Sequence, residues 1–355
     1  MVQNLLVRIL LIPFSLLYGL GVSLRDAAYR MGLLKSVQFS VPTISVGNLS
    51  VGGAGKTPHI EYLIRLLKDY IHVATLSRGY GRKSQGYRLV HPRMTAEQAG
   101  DEPLQFKRKF PEVTVTVSES RAFGVPRILM EAPETQVVLL DDAFQHRAVQ
   151  PGLNVLLTEY SHLFTRDWLL PTGRLREWRS AYRRADVLVV TKCPPQLSVQ
   201  ERERILLEIK PFPHQRVFFS YYEYDRPYFI FDARYVTDLQ PEWTALMVSA
   251  IARTDYLTDY LREKIETVTI LEYEDHHLFS AEDMLEVKGT FERLTGEKKI
   301  ILTTEKDAVR LEAHRQFILD NRLPVFALPV EVRFHFGEGP LFDQLIKDFL
   351  LNFKA

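Results

Sequence analysis

The sequence predicts an α/β fold, in which a parallel sheet is covered by helices and a smaller α/β unit follows. Three observations support this. After residue 40, apolar runs of strand length alternate with helical patterns; several runs lack polar alternation, as expected for strands covered on both faces; and the alternation resumes beyond residue 240. The first set of predicted strands is Val41–Val46, His72–Ser77, Val113–Val117, Val137–Leu140, Asn154–Thr158 and Val187–Thr191.

The N-terminal segment departs from the rest of the chain. Residues 5–24 are mostly apolar and would form a helix about 30 Å long, the thickness of a bilayer core. Arg8 and Pro13 interrupt the segment, and three basic residues follow it between positions 25 and 35. A buried core helix is one interpretation, and a full membrane span is another that Arg8 weakens. We favour an interfacial or shallowly inserted anchor over residues 1–35, with the arginines at the headgroups.

Composition limits the partners of the chain. Its 355 residues favour two domains or one large one. The net charge is +1, so no overall field attracts nucleic acid, and we predict neither a nucleic-acid partner nor an obligate protein partner. Cys193 is the only cysteine in the sequence and cannot form an internal disulfide, which favours a reducing compartment.

The glycine-rich segment Ser50–Thr57 is the strongest motif. It follows a predicted strand and precedes a helix that starts near Pro58, which is the context that a phosphate-binding loop (P-loop) requires. Glycines let backbone N–H groups surround phosphate oxygens, Lys56 would neutralise the β- and γ-phosphates, and Thr57 would offer its hydroxyl to Mg²⁺. The predicted nucleotide-binding residues are Ser50, Val51, Gly52, Gly53, Ala54, Gly55, Lys56 and Thr57. Ser50 departs from the usual pattern, which has glycine there; a coincidental glycine-rich turn is the weaker interpretation.

Two aspartates end the predicted strand Val137–Leu140. Alone, Asp141 and Asp142 would be turn-capping residues as readily as ligands, but a phosphate loop lies upstream. Together the two features predict a Mg²⁺–nucleotide site. The sequence leaves open which aspartate is nearer the metal.

The chain divides into a P-loop domain over residues 36–216 and a smaller α/β domain over 231–322. Two aromatic stretches, 217–230 and 323–334, are predicted to pair as a β linker, and residues 335–355 to return to the first domain as a helix. In the smaller domain the predicted strands are Ala245–Ser249, Thr267–Leu271 and Lys299–Thr303, and the predicted helices are Thr254–Lys264 and Ala281–Leu294.

Seven segments, taken in order, resemble the tetraacyldisaccharide 4′-kinases, the lipid A 4′-kinases of Gram-negative bacteria. They are SVGNLSVGGAGKTP (45–58), LSRGYGRK (76–83), GDEP (100–103), DDAFQHR (141–147), PTGRLRE (171–177), EDHHLF (274–279) and TTEKDAVR (303–310). The resemblance runs from the N-terminal apolar segment to about residue 310. Ala143 is a departure, because the family commonly has glycine at that position.

The resemblance implies a two-domain P-loop kinase with a β-strand linker and an N-terminal helix on the cytoplasmic face of the inner membrane. It implies ATP and Mg²⁺, and as acceptor the 4′-hydroxyl of a tetraacylated glucosamine disaccharide 1-phosphate. The aspartate of GDEP and a histidine of the DHH segment serve catalysis in the family. These are Asp101 and His276 here, with His277 as the adjacent alternative.

Further polar residues are predicted to bind substrate or stabilise charge, although exposed arginines are common on any surface. They are Arg78, Arg121, Gln145, Arg174, Arg176 and Glu177. A second hypothesis is a membrane-associated P-loop ATPase that acts as a switch or a partner-binding module. Such a protein needs only water as acceptor, whereas Asp101 and the DHH segment favour a kinase.

Overall fold

The computed structural model describes residues 5–251 and 254–354. It confirms the predicted α/β fold with parallel sheets and an N-terminal apolar helix. The strands in chain order are β1 (Thr43–Asn48), β2 (Val73–Ser77), β3 (Arg88–Leu89), β4 (Thr114–Val117), β5 (Val137–Asp141), β6 (Leu153–Glu159), β7 (Val187–Thr191), β8 (Arg216–Tyr224), β9 (Tyr228–Phe229), β10 (Asp232–Val236), β11 (Thr244–Ser249), β12 (Thr267–Glu272), β13 (Lys299–Thr304), β14 (Val325–Leu328) and β15 (Val330–Phe334).

Helices cover these strands. In chain order they are α1 (Leu5–Arg30), α2 (Lys56–Leu67), α3 (Ala96–Ala99), α4 (Asp101–Lys109), α5 (Arg121–Glu131), α6 (Val199–Ile209), α7 (Asp255–Lys264), α8 (Ala281–Arg293), α9 (Glu305–Leu311), α10 (Arg315–Asp320) and α11 (Gly339–Asn352). The apolar face of α2 (Ile60, Leu63, Ile64 and Leu67) is at most 4% exposed and packs on the first sheet. Burial of that stripe fixes the angle at which the helix leaves the phosphate loop.

The larger sheet positions the site. Within the described ranges it has nine strands in the order β15-β8-β7-β6-β1-β5-β2-β4-β3. β1 lies between β5 and β6, parallel to both, and Val46 stands opposite Asp141. Because the carboxyl ends of parallel strands meet at one edge, the loop that follows β1 and the aspartates that end β5 lie side by side there.

The smaller sheet has the order β10-β9-β14-β13-β11-β12, counted over the same ranges. Its four strands β12, β11, β13 and β14 are parallel. The two aromatic stretches connect the sheets as antiparallel pairs. β8 pairs with β15, with Tyr222 opposite Val332, and β9 pairs with β14, with Tyr228 opposite Ala327. β8 also extends the larger sheet beside β7, so the boundary at residue 216 falls at the start of that strand; the division into domains stays a prediction.

The N-terminal helix α1 has its apolar side chains outward. The stretch Val7–Arg30 contains an 18-residue window with a mean hydropathy of 1.8 and is long and apolar enough to cross a membrane, and only 17% of that window is buried. Ser15, Gly19 and Val22 face the protein, whereas Leu10 and Leu17 are 72% and 67% exposed. Since the face toward the protein is small and partly polar, the interpretation as a buried core helix is wrong.

Candidate active site

The phosphate loop lies between β1 and α2. Gly52 (φ +109°) and Gly55 (φ +88°) adopt left-handed conformations, and a Cβ at Gly55 would collide with the Tyr222 hydroxyl. Gly55 directly precedes Lys56, the first residue of α2, so the free N–H groups at the helix start face the loop. Position 50 does not require glycine, because the Ser50 backbone forms an antiparallel β-bridge with Leu175.

The carboxyl end of β5 turns sharply at Asp142, which has φ +45°. Ala143, where the family commonly has glycine, is outside the left-handed region, so its methyl group causes no backbone strain. Instead Ala143 is buried beside Val138 and Leu140. The unusual backbone therefore falls on the aspartate, a residue type that tolerates this conformation better than most.

A polar network surrounds Asp142. Both terminal nitrogens of the Arg176 guanidinium donate to its carboxylate, at 3.0 and 2.8 Å, and Lys56 Nζ lies 3.7 Å from Oδ1. Asn48 Oδ1 accepts from Lys56 at 3.2 Å and from Arg176 at 2.7 Å, while Gln145 Nε2 donates to the Asn48 carbonyl at 2.9 Å. Burial opposes ionisation of Asp142, but the charge of Lys56 and the bonds from Arg176 outweigh it and hold its pKa well below the usual range.

Asp141 differs from its neighbour. It is 7% exposed, and its Oδ1 is buried without a hydrogen-bond partner in the described part of the chain. Burial first, and then the charges of Glu102 and Asp142, raise its pKa to about 6. A carboxylate oxygen left unpaired beside a phosphate loop fits a cation. Among the described residues no group of three or more His, Cys, Asp or Glu has metal-binding geometry, so Thr57 and phosphate oxygens would have to complete a Mg²⁺ site.

Arg121 lies beneath this carboxylate pair. Its side chain is 1% exposed and donates to the backbone carbonyls of Asp141 at 2.6 Å and Ser118 at 3.1 Å. Burial lowers its pKa to about 10, which leaves it charged at neutral pH. The backbone N–H of Arg121 donates to His146 Nε2 at 3.2 Å, and burial together with nearby arginine charges lowers the pKa of His146 to about 4. Arg121 therefore supplies a fixed positive charge behind the strand end.

A cavity of about 790 Å³ opens above the phosphate loop, within the size range of small-molecule sites. The part of the chain that forms the larger sheet contributes Lys56, Thr57, Asp141, Asp142 and Arg176 to its lining, and the part that forms the smaller sheet contributes His276, Glu305 and Lys306. Arg78, Tyr80, Glu102, Arg121 and Gln145 also line it, and Lys192, Tyr222, Tyr224 and Tyr256 form an aromatic end. The cavity thus spans both halves of the protein.

Asp101 and His276 meet in this region although 175 residues separate them. His276 Nδ1 lies 3.2 Å from Asp101 Oδ2, and Arg310 Nε donates to the same oxygen at 2.8 Å. Lys306 Nζ lies 3.4 Å from His276 Nε2 and 2.8 Å from a carboxylate oxygen of Glu102. Burial opposes ionisation of Asp101, but the hydrogen bonds from His276 and Arg310 outweigh it and lower the pKa of its carboxyl group.

The two histidines of the DHH segment have different surroundings. His277 Nε2 bonds to Asp283 at 2.8 Å and its ring stacks on Tyr273, with centroids 4.9 Å apart. His276 has φ +63°, an uncommon conformation outside glycine, and its ring contacts Tyr80 with centroids 4.7 Å apart. The strained turn directs His276, and not His277, toward Asp101.

Comparison with known proteins identifies the family. A sequence profile described as tetraacyldisaccharide-1-P 4′-kinase matches residues 7–350. The chain belongs to the tetraacyldisaccharide 4′-kinase family. A tetraacyldisaccharide 4′-kinase from Bacteroides thetaiotaomicron is 42% identical over 348 residues, 95% of this chain and 91% of that protein. Another from Flavobacterium johnsoniae is 45% identical over 307 residues, 86% of this chain and 88% of that one.

A solved structure agrees with this assignment. The "apo" form of LpxK from Aquifex aeolicus in complex with ATP is 33% identical to this chain and superposes on it with a TM-score of 0.74. The match covers 97% of this chain and 99% of the Aquifex chain. The resemblance stated from sequence motifs is therefore confirmed, and the chain is a kinase of lipid A biosynthesis.

Two predicted residues lie outside the main cavity of this tetraacyldisaccharide 4′-kinase. Arg174 pairs with Asp167 at 3.1 Å and lines a separate 250 Å³ cavity behind the phosphate loop. Glu177 is fully buried and bonds to Arg25 of α1 and to Arg184. Both residues belong to the segment 171–177, which contacts α1 through Glu177 and the phosphate loop through the backbone of Arg174.

Several residues of the site have contacts that the sequence motifs do not predict. Asn48 precedes the glycine-rich segment, and its side-chain oxygen accepts a hydrogen bond from Arg176, a contact that only the folded chain reveals. Arg310 and Lys306 stand in the TTEKDAVR segment, which carried the resemblance without an assigned role. The sequence signal for Lys306 and Arg310 is their spacing of four residues directly after a buried strand, which places both on one face of a helix.

Proposed function

We propose that this kinase transfers the γ-phosphate of ATP to the 4′-hydroxyl of a tetraacylated glucosamine disaccharide 1-phosphate, at the cytoplasmic face of the inner membrane. The observation that supports this best is the lining of the main cavity, which brings a phosphate loop and strand-end carboxylates together with His276, the contact partner of Asp101. A phosphate donor and a hydroxyl acceptor can therefore meet there. The ATP complex of the Aquifex relative supports ATP as the donor.

The donor half of the cavity would hold the nucleotide by its phosphates. The N–H groups at the start of α2 and the ammonium of Lys56 would bind the β- and γ-phosphates. The aromatic end, where Lys192 Nζ lies 4.6 Å from the centroid of the Tyr256 ring, would accept the base by stacking. The nucleotide would then lie across the loop with its γ-phosphate toward Asp101.

Thr57, Asp141 and Asp142 would hold Mg²⁺. When bound, the ion neutralises charge on the phosphate oxygens. The unpaired Oδ1 of Asp141 supports a direct contact by this residue, whereas Asp142 is already engaged by Arg176. Arg176 would then fix the orientation of Asp142, as hydrogen-bonded partners of ligating carboxylates commonly do.

The acceptor half would act on the sugar hydroxyl. As the hydroxyl oxygen bonds to the γ-phosphorus and the bond to the β-phosphate oxygen breaks, the hydroxyl proton passes to the Asp101 carboxylate. A low pKa keeps Asp101 ionised and ready to accept, and it makes the residue a weak base that takes the proton late in the step. His276, in contact with the same carboxylate, would orient it and share the proton.

The outward apolar face of α1 supports a membrane location. Its exposed leucines would enter the bilayer while Arg25, at the other end of the helix, faces the cavity. A lipid acceptor could then reach the cavity without leaving the membrane surface.

Turnover with and without an acceptor tests the proposal. We expect purified enzyme with ATP and Mg²⁺ to release ADP rapidly once the disaccharide 1-phosphate lipid is added in mixed micelles, with one phosphate gained by the lipid in its mass spectrum. ADP release that is equal without the lipid, with no phosphorylated product, would favour the ATPase switch instead.

A further inference from the structure

One residue of the N-terminal helix reaches the cavity. Of the α1 residues whose side chains the structure describes, Arg25 alone lines it. Arg25 follows the exposed apolar residues Leu20 and Leu24, which are 56% and 63% exposed. It therefore stands where the membrane-facing part of α1 ends and the cavity begins.

A buried carboxylate holds Arg25 in this position. One terminal nitrogen of its guanidinium donates to Glu177, whose side chain is 0% exposed, and the other oxygen of Glu177 accepts from Arg184. Two guanidinium groups share one carboxylate, so the cluster keeps one positive charge. Nε of Arg25 is buried, whereas 38% of the side chain as a whole remains exposed. Glu177 thus fixes Arg25 in place, and the exposed part of its guanidinium can still donate to a ligand.

We infer that Arg25 binds the phosphate group of the lipid acceptor and so makes the enzyme prefer a phosphorylated disaccharide. This rests on the proposed function. The reacting hydroxyl must lie near Asp101 and the γ-phosphate, and the acyl chains must lie along the apolar face of α1. The anionic end of the headgroup then lies near the point where α1 meets the cavity, and Arg25 is the cation at that point.

The chemistry suits this role. A guanidinium binds phosphate through two parallel N–H···O bonds, and a buried carboxylate that fixes its orientation reduces the entropy lost on binding. The other cations on the cavity wall have different positions. Arg176 and Lys56 contact Asp142 beside the phosphate loop, and Arg78 stands on the loop after β2. Arg121 donates to the Asp141 carbonyl behind the strand end, Lys192 lies over the Tyr256 ring, and Lys306 pairs with Glu102.

The test compares two acceptors that differ only in the anomeric phosphate, presented in micelles of neutral detergent. We expect Arg25→Ala to lower kcat/KM for the phosphorylated acceptor about 10- to 100-fold, the loss of one or two hydrogen bonds to a charged group. Turnover of the acceptor that lacks this phosphate should change no more than about threefold. Arg25→Lys, which keeps the charge and loses the two-bond geometry, should fall between.

Arg30 provides the matched control, because it is an exposed arginine on the same helix outside the cavity. Arg30→Ala should keep the wild-type ratio between the two acceptors. Equal losses on both acceptors in Arg25→Ala would overturn the inference and make Arg25 a residue that docks α1. A preference that survives in Arg25→Ala and disappears in Arg78→Ala would overturn it as well. Wild-type enzyme that hydrolyses ATP and phosphorylates neither acceptor would instead refute the proposed function on which the inference rests.

Discussion

Replacement of Arg310 by methionine perturbs the contact between the two halves of the site. The Arg310 side chain is 1% exposed and donates to Asp101 at 2.8 Å through Nε, to Asp307 at 2.8 Å and to the carbonyl of Ala250 at 3.0 Å. Asp101 and Asp307 are themselves 8% and 0% exposed. Methionine keeps much of the volume and removes the charge, so it leaves two carboxylates buried with fewer partners.

The magnitude follows from that burial. Breaking a buried ion pair by removal of one partner costs about 3–5 kcal/mol, against a typical domain stability of about 5–15 kcal/mol. Asp307 keeps bonds from Thr304 at 2.7 Å and from the Ala250 N–H at 3.2 Å, which favours the lower end of that range. We expect Arg310→Met to destabilise the folded protein by about 3 kcal/mol at pH 7.

The pH dependence gives this prediction a second readout. The folded-state pKa of Asp101 is lowered, so its ionised form stabilises the fold above its unfolded pKa, and this stabilisation is lost as pH falls through the folded pKa. Without Arg310 the pKa of the buried carboxylate rises and protonation relieves the penalty. The stability difference between Arg310→Met and wild type should therefore shrink as pH falls from 7 toward 4.

Urea unfolding across that pH range measures the effect, with kcat followed in parallel. Arg315→Met is the control, since Arg315 is 51% exposed and its nearest carboxylate oxygen, on Glu312, is 3.8 Å away; it should change stability by about 0.5 kcal/mol or less. Arg310→Met should also lower kcat, because Asp101 loses the partner that orients it. A variant within about 1 kcal/mol of wild type at every pH, with normal kcat, would refute the reasoning.

Three further predictions concern the donor site and the membrane helix. Lys56→Ala should lower kcat/KM at least about 100-fold, roughly 2.7 kcal/mol of transition-state stabilisation. Lys83→Ala is the control and should keep kcat/KM near the wild-type value, because the Lys83 side chain is 72% exposed. Near-normal turnover in Lys56→Ala would reject the phosphate-loop assignment. The difference in Mg²⁺ affinity between wild type and Asp141→Asn, measured by titration calorimetry in the presence of ATP, should shrink as pH falls through about 6, because Asp141 becomes protonated there; a difference that stays constant from pH 7.5 to 5.5 would remove Asp141 as a ligand. Leu17→Glu should reduce co-sedimentation with liposomes and leave ATP binding intact, while Leu285→Glu, on an exposed position of α8, should sediment as wild type does; equal sedimentation of both would argue against α1 as the anchor.

Local patterns carried much of the prediction. The phosphate loop is built from neighbouring residues, some of which must adopt positive φ angles. Gly52 and Gly55 have such angles, which glycine adopts without steric strain. The strand before the loop is covered on both faces, so a continuous apolar run predicts it, and the apolar stripe of α2 follows from burial of one helix face, so its periodicity predicts it. Asp141 follows because parallel strands end at a common edge.

Contacts between distant segments were beyond local reasoning. Nothing near Asp101 indicates that His276 lies beside it, and family resemblance alone brought the two together. The outward face of α1 depended on what packs against it: Gly19 lies so close to the Trp178 ring that a Cβ there would clash, which no property of the helix itself reveals. The sequence places Arg25 among the headgroup arginines, since its partner Glu177 lies 152 positions away and no local pattern predicts the pair.

We propose that Asp101 and His276 act as one unit on the acceptor hydroxyl. The most direct measurement is kcat, with ATP affinity measured separately, for Asp101→Asn, His276→Ala and the double variant. Each single variant should lower kcat, Asp101→Asn by about 100-fold or more, with ATP affinity within a few-fold of wild type. The double variant should lose much less than the sum of the two single losses in activation free energy. Additive losses, accompanied by strongly weakened ATP binding, would contradict the account and assign Asp101 to the nucleotide or metal side of the cavity.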